Sequence, residues 1–332
     1  MFIKPLLTAT AQCSRRTDVM TDNFCINGAL PSVGSVPNHK AYTKDLRSKV
    51  GIFAVADGIG RGDDAANAAH KALSILKKYH DKMGSVTVEA VGTVVEAYAE
   101  EANSFMHSLG NGIGASVAML VINHGVGTAI NAGNARVYSF KYGRLNRLSV
   151  DDTETQRLLN VGAIRREEAM GHPSRKTLTS AIGMLDAAKG NRLHMSSPMP
   201  IENGDIFLLC SNGLTDFLSD DRIAYILSLH MSNERLAQRL VSEAVARGAD
   251  DNLSVVVVRS GKGGKPSLIN RGIVKGALVV ILLAVLAAYL LSSPWKKRDV
   301  IEEPTPEVTP TPTAASLLSS PPVMEENFEL RQ

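Results

Sequence analysis

The chain has 332 residues, of which 44% are hydrophobic and 21% are charged, a balance typical of a globular protein with a sizeable core. This composition excludes a disordered, collagen-like or mucin-like chain. The formal net charge of +3 is unevenly spread, because residues 299–332 hold seven acids and one arginine and so carry −6. Residues 1–298 therefore carry +9, and we expect the two parts to lie in different surroundings.

The three cysteines, Cys13, Cys25 and Cys210, form no Cys-x-x-Cys or Cys/His pattern. A zinc site is therefore not expected, and the cysteines are predicted to be buried free thiols in a reducing compartment. Aromatic residues make up only 5% of the chain and do not alternate with basic ones, so nucleic-acid binding is not expected either.

Apolar runs and helical spacing succeed one another along residues 1–259, where we expect strands before, between and after pairs of helices. This order favours an α+β fold over a regular βαβ alternation. The predicted strands are 50–56, 114–122, 127–134, 136–140, 206–210 and 253–258, and the predicted helices are 64–80, 86–109, 220–230 and 234–247.

A basic, glycine-rich stretch at 260–272 is predicted to be a linker. It leads into residues 276–291, sixteen residues without a charge, and the full apolar stretch of 273–293 is long enough to cross a bilayer. The alternative is a buried core helix. We prefer a transmembrane helix because the stretch follows the globular part and has basic residues on both sides.

Four basic residues precede the uncharged run at 276–291 and three follow it, so the positive-inside rule barely assigns the orientation of the span. Residues 1–7 do not form a signal peptide, which favours a cytoplasmic N-terminal domain, with the tail across the cell membrane. The tail at 294–332 is acidic and rich in proline and threonine, and we predict that it is disordered.

Three polar segments adjoin predicted strands and carry the chemistry. Asp57-Gly58 follows one strand, Asn212-Gly213 follows another, and Asp251 precedes the last. One Asp-Gly pair alone is typical of a turn. Several carboxylates held together, however, favour a hard cation such as Mg²⁺ or Mn²⁺ between them, and a glycine allows its carbonyl oxygen to approach the metal.

These segments belong to seven elements whose order resembles that of the metal-dependent (type 2C, PPM-type) protein serine/threonine phosphatases. The resemblance covers most of residues 8–259. The matching elements are Arg15-Arg16 with Thr21-Asp22, the run from Phe53 to Gly60, Gly114 with Asn131 to Tyr138, Leu148 to Asp152, Gly162 with His172 and Leu178 to Gly183, Leu209 to Asp216, and Asp251-Asn252.

The resemblance implies a four-layer α-β-β-α sandwich that holds two Mn²⁺ or Mg²⁺ ions at one edge. By position, Asp57 would bridge the two ions, Gly58 would offer its carbonyl oxygen to the second, and Asp251 would bind the first. The remaining metal positions fall on Asp22, Asn212 and Asp216. Arg15 and Arg16 would bind the phosphorylated substrate, and Asp57, Asp251 and Arg16 would form the catalytic set.

The chain departs from the family pattern at the metal positions. Asn212 stands where the family has its other first-metal aspartate, Thr21 replaces a glutamate, and Asn134 replaces the aspartate tied to a weaker third metal site. We therefore expect the third site to be weak or absent. The position of the family's phosphate-binding arginine is Thr17 here, with Arg16 one residue further away.

The resemblance predicts hydrolysis of phosphoserine and phosphothreonine in proteins by a metal-activated water. A membrane serine/threonine kinase and the bilayer are the other expected partners. The alternative is a catalytically impaired pseudophosphatase that acts as a membrane-anchored scaffold for phosphoproteins or a kinase. Arg175 and Lys176, in the flap-like region, could attract a phosphopeptide or could simply be solvated.

Overall fold

The structure is a computed structural model that describes residues 7–48, 50–169, 171–186 and 193–261. All of these residues lie within one compact unit, Met1–Arg271. No helix in this part of the chain is both long enough and apolar enough to span a membrane. The predicted linker beyond 261, the predicted span at 273–293 and the tail lie outside the described residues.

The described strands form two antiparallel sheets. The first sheet has the order β3-β1-β12-β11-β7-β8, with strand bounds Tyr42–Leu46, Leu7–Ser14, Leu253–Ser260, Ile206–Cys210, Arg136–Lys141 and Arg144–Arg147. The second has the order β10-β6-β5-β4-β2, with bounds Met199–Pro200, Val126–Ala132, Gly114–Asn123, Val50–Ile59 and Asp22–Ile26, and β9 (His194–Met195) also pairs with β6.

Helices cover both outer faces of the paired sheets. The helices are α1 (Asp63–Lys78), α2 (His80–Ser85), α3 (Val91–Leu109), α4 (Glu154–Asn160), α5 (Arg166–Ala169), α6 (Asn212–Thr215), α7 (Asp220–Ser228) and α8 (Asn233–Ala246), with a 3-10 helix at Pro173–Lys176. We call residues 153–186, which carry α4, α5 and the 3-10 helix, the flap segment.

Three apolar clusters define the layers. In the first, α1 and α3 pack on the second sheet through side chains such as Leu73 and Tyr98. The middle cluster joins the two sheets, with Phe53 of β4 and Phe207 of β11 among its members. The third places α7 and α8 on the first sheet. Burial of these large side chains between adjacent layers stabilises the α-β-β-α arrangement that the family resemblance implied.

The predicted elements are present, with boundaries shifted by a few residues, and the hairpin turn between β7 and β8 falls at Tyr142 and Gly143. Strand β1 was not predicted. Its sequence alternates apolar and polar residues, but all of them are buried, since the apolar residues face the second sheet and α8 packs on β1 from outside. The three cysteines are free and buried, as predicted.

Asp57 lies inside β4 rather than after it, because the strand continues to Ile59 and Asp57 pairs with Ser116 of β5. Gly58 also has a packing reason to be glycine. A Cβ atom there would lie 1.8 Å from the carbonyl oxygen of Ala65 in α1, so no side chain can be accommodated. The start of α1 is thereby held directly against the strand that carries Asp57.

Candidate metal centre

The site is built on a pair of aspartates that face each other across two strands. Asp22 begins β2 and is the register partner of Asp57 in β4. The amide of Gly58 donates to the carbonyl oxygen of Thr21 at 3.2 Å, which closes the pairing at this end of the sheet. Two acids directly opposite each other on antiparallel strands repel when both are charged. The backbone therefore imposes a close contact that the side chains alone would avoid.

Asp22 is almost fully buried and is linked to the first sheet through serine hydroxyls. Ser211 donates to its Oδ2 atom at 2.7 Å, and Ser211 in turn accepts the amide hydrogen of Ser254 at 3.0 Å. The other oxygen, Oδ1, is buried and receives no amide or hydroxyl donor. One half of this carboxylate is thus organised by the protein, and the other half is left without a donor.

The electrostatics of the pair disfavour two negative charges. Burial raises the pKa of Asp22 to about 6; hydrogen bonds from Ser211 and Ser254 oppose this rise, and the charge of Asp251 adds a smaller one. Burial, followed by the charges of Asp22 and Asp251, raises the pKa of Asp57 well above its ordinary range. Asp216 adds a smaller contribution in the same direction. We call Asp22, Asp57, Asp216 and Asp251 the acid cluster.

The loop before β12 supplies Asp251 and also holds the residues that precede β2. The Nδ2 atom of Asn252 donates to Thr17 Oγ1 at 2.9 Å, to the Val19 carbonyl at 2.7 Å and to Thr21 Oγ1 at 3.0 Å. Its Oδ1 atom accepts from the amides of Arg16 at 2.9 Å and Thr17 at 3.3 Å. One buried amide side chain therefore ties together residues 16–21.

The two predicted substrate-binding arginines differ in their surroundings. The side chain of Arg16 donates from Nε to the carbonyl oxygen of Ala249 at 2.9 Å, beside the loop that carries Asp251. The backbone amide of Arg15 donates to Asn38 Oδ1, and both residues are exposed. The structure thus places the side chain of Arg16 beside the loop that carries Asp251. The backbone of Arg15 is hydrogen-bonded instead to Asn38.

Asn212 and Asp216 lie on one turn, α6 and its cap. Asn212 is buried, its Oδ1 atom has no hydrogen-bond donor, and its Nδ2 atom lies 3.5 Å from Asp216 Oδ2. Asp216 faces two cations of the flap segment, with Arg175 Nε 3.4 Å from Oδ1 and Lys176 Nζ 3.5 Å from Oδ2. The side-chain oxygen of Asn212, Oδ1, is therefore available to a cation, whereas the carboxylate of Asp216 is already ion-paired.

The donor set at Asp22, Asp57, Asp251 and Asn212 suits a divalent cation. Two buried oxygens, Asp22 Oδ1 and Asn212 Oδ1, have no hydrogen-bond donor, and the charges of Asp22 and Asp251 add to the raised pKa of Asp57. Carboxylate oxygens and amide oxygens are the ligands that Mg²⁺ and Mn²⁺ prefer. Within the described residues, no three histidine, cysteine or acidic side chains already converge as a ligand group. A bound cation would therefore draw these oxygens together.

Several residues of the site were not assigned a role from the sequence. Ser211 and Asn252 lie next to predicted positions, so the motifs themselves were the available signal, but their hydrogen bonds to Asp22 and to residues 16–21 join segments more than 180 residues apart. The pairing of Arg175 and Lys176 with Asp216 was also not predicted. No sequence pattern specifies that contact, because it depends on how the flap segment folds back.

A cavity of about 870 Å³ adjoins the site between the flap segment and the edge of the first sheet. Arg175 and Thr215 belong to its lining, so it opens beside Asp216. Arg136 and Arg147 also line it and both pair with Asp151. The cavity is therefore polar and adjoins the acid cluster at one end.

Known proteins resemble the chain in both sequence and fold. The serine/threonine phosphatase stp of Listeria welshimeri is 27% identical over 216 residues, which are 62% of this chain and 83% of that protein. The serine/threonine protein phosphatase PstP of Mycobacterium tuberculosis is 29% identical over 265 residues, 77% of this chain and 50% of that protein. No family model matches the chain.

Two solved structures illustrate the shared fold. The Streptococcus agalactiae serine/threonine phosphatase has a TM-score of 0.64 at 20% identity, covering 76% of this chain and 98% of its own. The catalytic domain of PstP in complex with two manganese ions has a TM-score of 0.61 at 21% identity, covering 77% of this chain and 100% of its own. The sequence relatives, the shared fold and the ordered motifs agree, and the chain is similar in sequence and in fold to the metal-dependent (type 2C, PPM-type) protein serine/threonine phosphatases.

Proposed function

We propose that this protein hydrolyses phosphoserine and phosphothreonine in other proteins. The observation that carries the proposal is the acid pair, Asp22 opposite Asp57, buried beside Asp251 with an oxygen of Asp22 left without a donor. Mn²⁺ or Mg²⁺ would be held by Asp22, Asp57, Asp251, Asn212 and the carbonyl of Gly58. When bound, such ions make a water ligand more acidic and neutralise charge on phosphoryl oxygens.

The chain's own residues position the reactants. Ser211 orients Asp22 by donating to one oxygen, which leaves the other directed to the cation site. Asn252 holds residues 16–21, and Arg16 is held at the Ala249 carbonyl, where its guanidinium has four further N–H donors for a phosphate. The cavity beside the flap segment offers room for residues flanking the phosphorylated one.

The proposal is tested with the full chain and a phosphothreonine peptide. We expect phosphate release that requires Mn²⁺ or Mg²⁺ and is lost in Asp57→Ala and Asp251→Ala. The matched control is Asp45→Ala, which removes an acid from the edge strand β3 outside the cluster. Turnover equal in wild type and Asp57→Ala would reject the phosphatase proposal.

The alternative of a catalytically impaired scaffold rested on Asn212, Asn134 and Thr21. Nothing in the relatives or in the donor set supports it, since the amide oxygen of Asn212 remains a possible ligand. The variant Asn212→Asp separates the two functions. An active wild type whose Mn²⁺ affinity rises in the variant supports an enzyme, whereas an inert wild type that gains activity in the variant supports a scaffold.

We also propose that residues 273–293 anchor the protein in the cell membrane, with the phosphatase domain in the cytoplasm and the tail on the opposite side. The support is the uncharged run at 276–291 with basic residues before and after it. The three free, buried cysteines agree with a reducing compartment for the domain. A membrane serine/threonine kinase is the partner that this location would favour.

Membrane fractionation tests the anchor. The full chain should stay in the membrane pellet after alkaline carbonate extraction, and the double variant Leu283→Lys, Leu286→Lys should be released. The matched control, Leu317→Lys with Leu318→Lys in the tail, should remain in the pellet. Orientation follows from labelling Ser316→Cys in intact cells with an impermeant maleimide. A wild type that is released by carbonate would overturn the anchor.

A further inference from the structure

Asp216 is placed in the acid cluster by its effect on Asp57, yet its own carboxylate is bound by the flap segment. Arg175 Nε lies 3.4 Å from Oδ1 and Lys176 Nζ lies 3.5 Å from Oδ2, so each oxygen faces a different cation. Arg175 also donates from Nη1 to the backbone carbonyl of Asp216 at 3.3 Å. The 3-10 helix of the flap segment is thus attached to the residue that the sequence predicted as a metal ligand.

A second acid completes the group. Lys176 Nζ lies 3.8 Å from Asp250 Oδ1, and Asp250 immediately precedes Asp251. Two carboxylates therefore face two side-chain cations, and the group is electrically balanced without a metal ion. A divalent cation placed at Asp216 would meet two positive charges within a few ångströms, which is strongly unfavourable at a partly buried position.

The other half of a third metal site is also changed. The side chain of Asn134 carries no charge. The backbone N–H groups of Asn134 and Ala135 donate to Ser116 Oγ at 3.0 and 2.8 Å. Ser116 is the register partner of Asp57 on β5. Asn134, which is hydrogen-bonded to Ser116, therefore lies close to the acid cluster. The residues present at Asp216 and Asn134 therefore do not suit a further divalent cation, in contrast to those at Asp22 and Asp57.

We propose that Arg175 and Lys176 replace a third metal ion at Asp216 and, by doing so, hold the flap segment on the rim of the metal centre. This inference rests on the proposed metal centre and concerns its stoichiometry and its flap. The attachment is then sensitive to ionic strength, because Arg175 and Lys176 are partly exposed, although the burial of Asp216 limits how far salt screens the ion pairs. Removal of the metal should leave the flap segment attached to Asp216.

Metal counting is the first test and needs no turnover. Native mass spectrometry or equilibrium dialysis of the full chain with Mn²⁺ should give two ions for the wild type. The triple variant Asn134→Asp, Arg175→Gln, Lys176→Gln should bind a third ion, while Asn134→Asp alone should still bind two. The matched control is Asn134→Asp with Arg165→Gln, which removes a flap cation paired with Glu168 instead, and it should bind two.

Three ions in the wild type would overturn the proposal. So would a triple variant that folds and still binds only two, because the cations would then not be what excludes the third ion. A wild type that binds metal without phosphatase activity would contradict the proposed function and leave this inference standing, so the two failures are distinguishable.

Hydrogen exchange of the wild type gives a second test that needs no variant. Chelation of the metal should leave the amide protection of residues 171–178 unchanged, whereas 0.5 M salt should lower it about fivefold through local opening. Arg175→Gln with Lys176→Gln should give the same loss at low salt. Loss of protection on chelation alone would show that a metal holds the flap segment, which contradicts the proposal.

Discussion

The hydroxyl of Ser211 donates to Asp22 at 2.7 Å and joins the end of one sheet to the acid pair of the other. The hydrogen bond lowers the pKa of Asp22, in opposition to the dominant effect of burial. Ser211 is therefore a positioning residue of the candidate metal centre. It keeps Asp22 closer to the ionised form that a cation requires.

Ser211→Ala should weaken Mn²⁺ binding because the pKa of Asp22 would rise further. Loss of a hydrogen bond to a carboxylate is worth about 1.5–3 kcal/mol, so we expect roughly a tenfold or larger drop in affinity near pH 6 and a smaller one near pH 8. Calorimetric titration with Mn²⁺ at several pH values measures this. The control is Ser149→Ala, because the buried hydroxyl of Ser149 accepts from the backbone amide of Val137 away from the acid cluster. Unchanged Mn²⁺ affinity in Ser211→Ala would refute the positioning role of Ser211.

Asp57→Asn should abolish phosphatase activity and yet stabilise the metal-free protein by about 1 kcal/mol. The pKa of Asp57 is raised by burial and by Asp22, so near pH 7 its ionised form opposes folding, and the neutral amide removes that cost. Thermal unfolding in a chelator should show a higher Tm for the variant. The wild type, in contrast, should gain more from added Mn²⁺ than the variant does.

Asn252→Ala should cost about 2–4 kcal/mol of stability and also raise KM, because several donors and acceptors of residues 16–21 lose their partner. Asn233 is a matched control. It is also buried and donates to the Thr8 carbonyl at 2.7 Å, but it lies on α8. Asn233→Ala should lower stability without changing KM, and equal KM effects would show that the first variant acts only through stability.

His194→Gln should remove a pH-dependent part of the stability. The hydrogen bond from His194 to Asp152, 2.7 Å long, raises the pKa of the histidine in the folded protein. Its contribution is fully present below the unfolded-state pKa near 6.5 and is lost as pH rises through the higher folded-state pKa. Denaturant titrations at intervals from pH 6 to 9 should show a wild-type decline that the variant lacks. The exposed His107→Gln should retain the decline.

Arg16→Ala should raise KM for a phosphopeptide about tenfold or more, whereas Arg15→Ala should change it little. The reason is the position of Arg16 beside the Asp251 loop, held at the Ala249 carbonyl. Both side chains are exposed, so neither variant should unfold the protein. Steady-state kinetics with one phosphothreonine peptide compares them, and a larger effect from Arg15→Ala would reverse the assignment.

Much of the fold was predictable from local patterns. The strands at Val50–Ile59 and Ile206–Cys210 are continuous apolar runs, and the helices at Asp63–Lys78 and Asn233–Ala246 have a clear helical period. Strand β1 (LTATAQCS) does alternate apolar and polar residues, a strand signal that was not used in predicting the strands. Only the tertiary fold reveals that its polar residues are buried as well, with α8 packed on the strand.

The sequence could propose members of the candidate site but not the contacts between them. Asp57, Asp251, Asn212 and Asp216 could be named from the order of motifs along the chain. Their relative roles could not, since the network of Asn252 and the ion pairs of Asp216 join segments far apart in sequence. Hydrogen bonds and ion pairs depend on distances of a few tenths of an ångström, which no sequence pattern specifies.

The amino-acid sequence by itself determined which carboxylates and amides this protein can offer to a cation, because residue type sets charge and ligand chemistry. It also determined the balance of +9 and −6 between the parts before and after residue 298. Only the tertiary structure decided which of those carboxylates remain available. Strand register brings Asp22 against Asp57 with an oxygen lacking a donor, while the flap segment neutralises Asp216 with Arg175 and Lys176. The physical reason is that electrostatic energy depends on distance and burial, and both are properties of the folded chain.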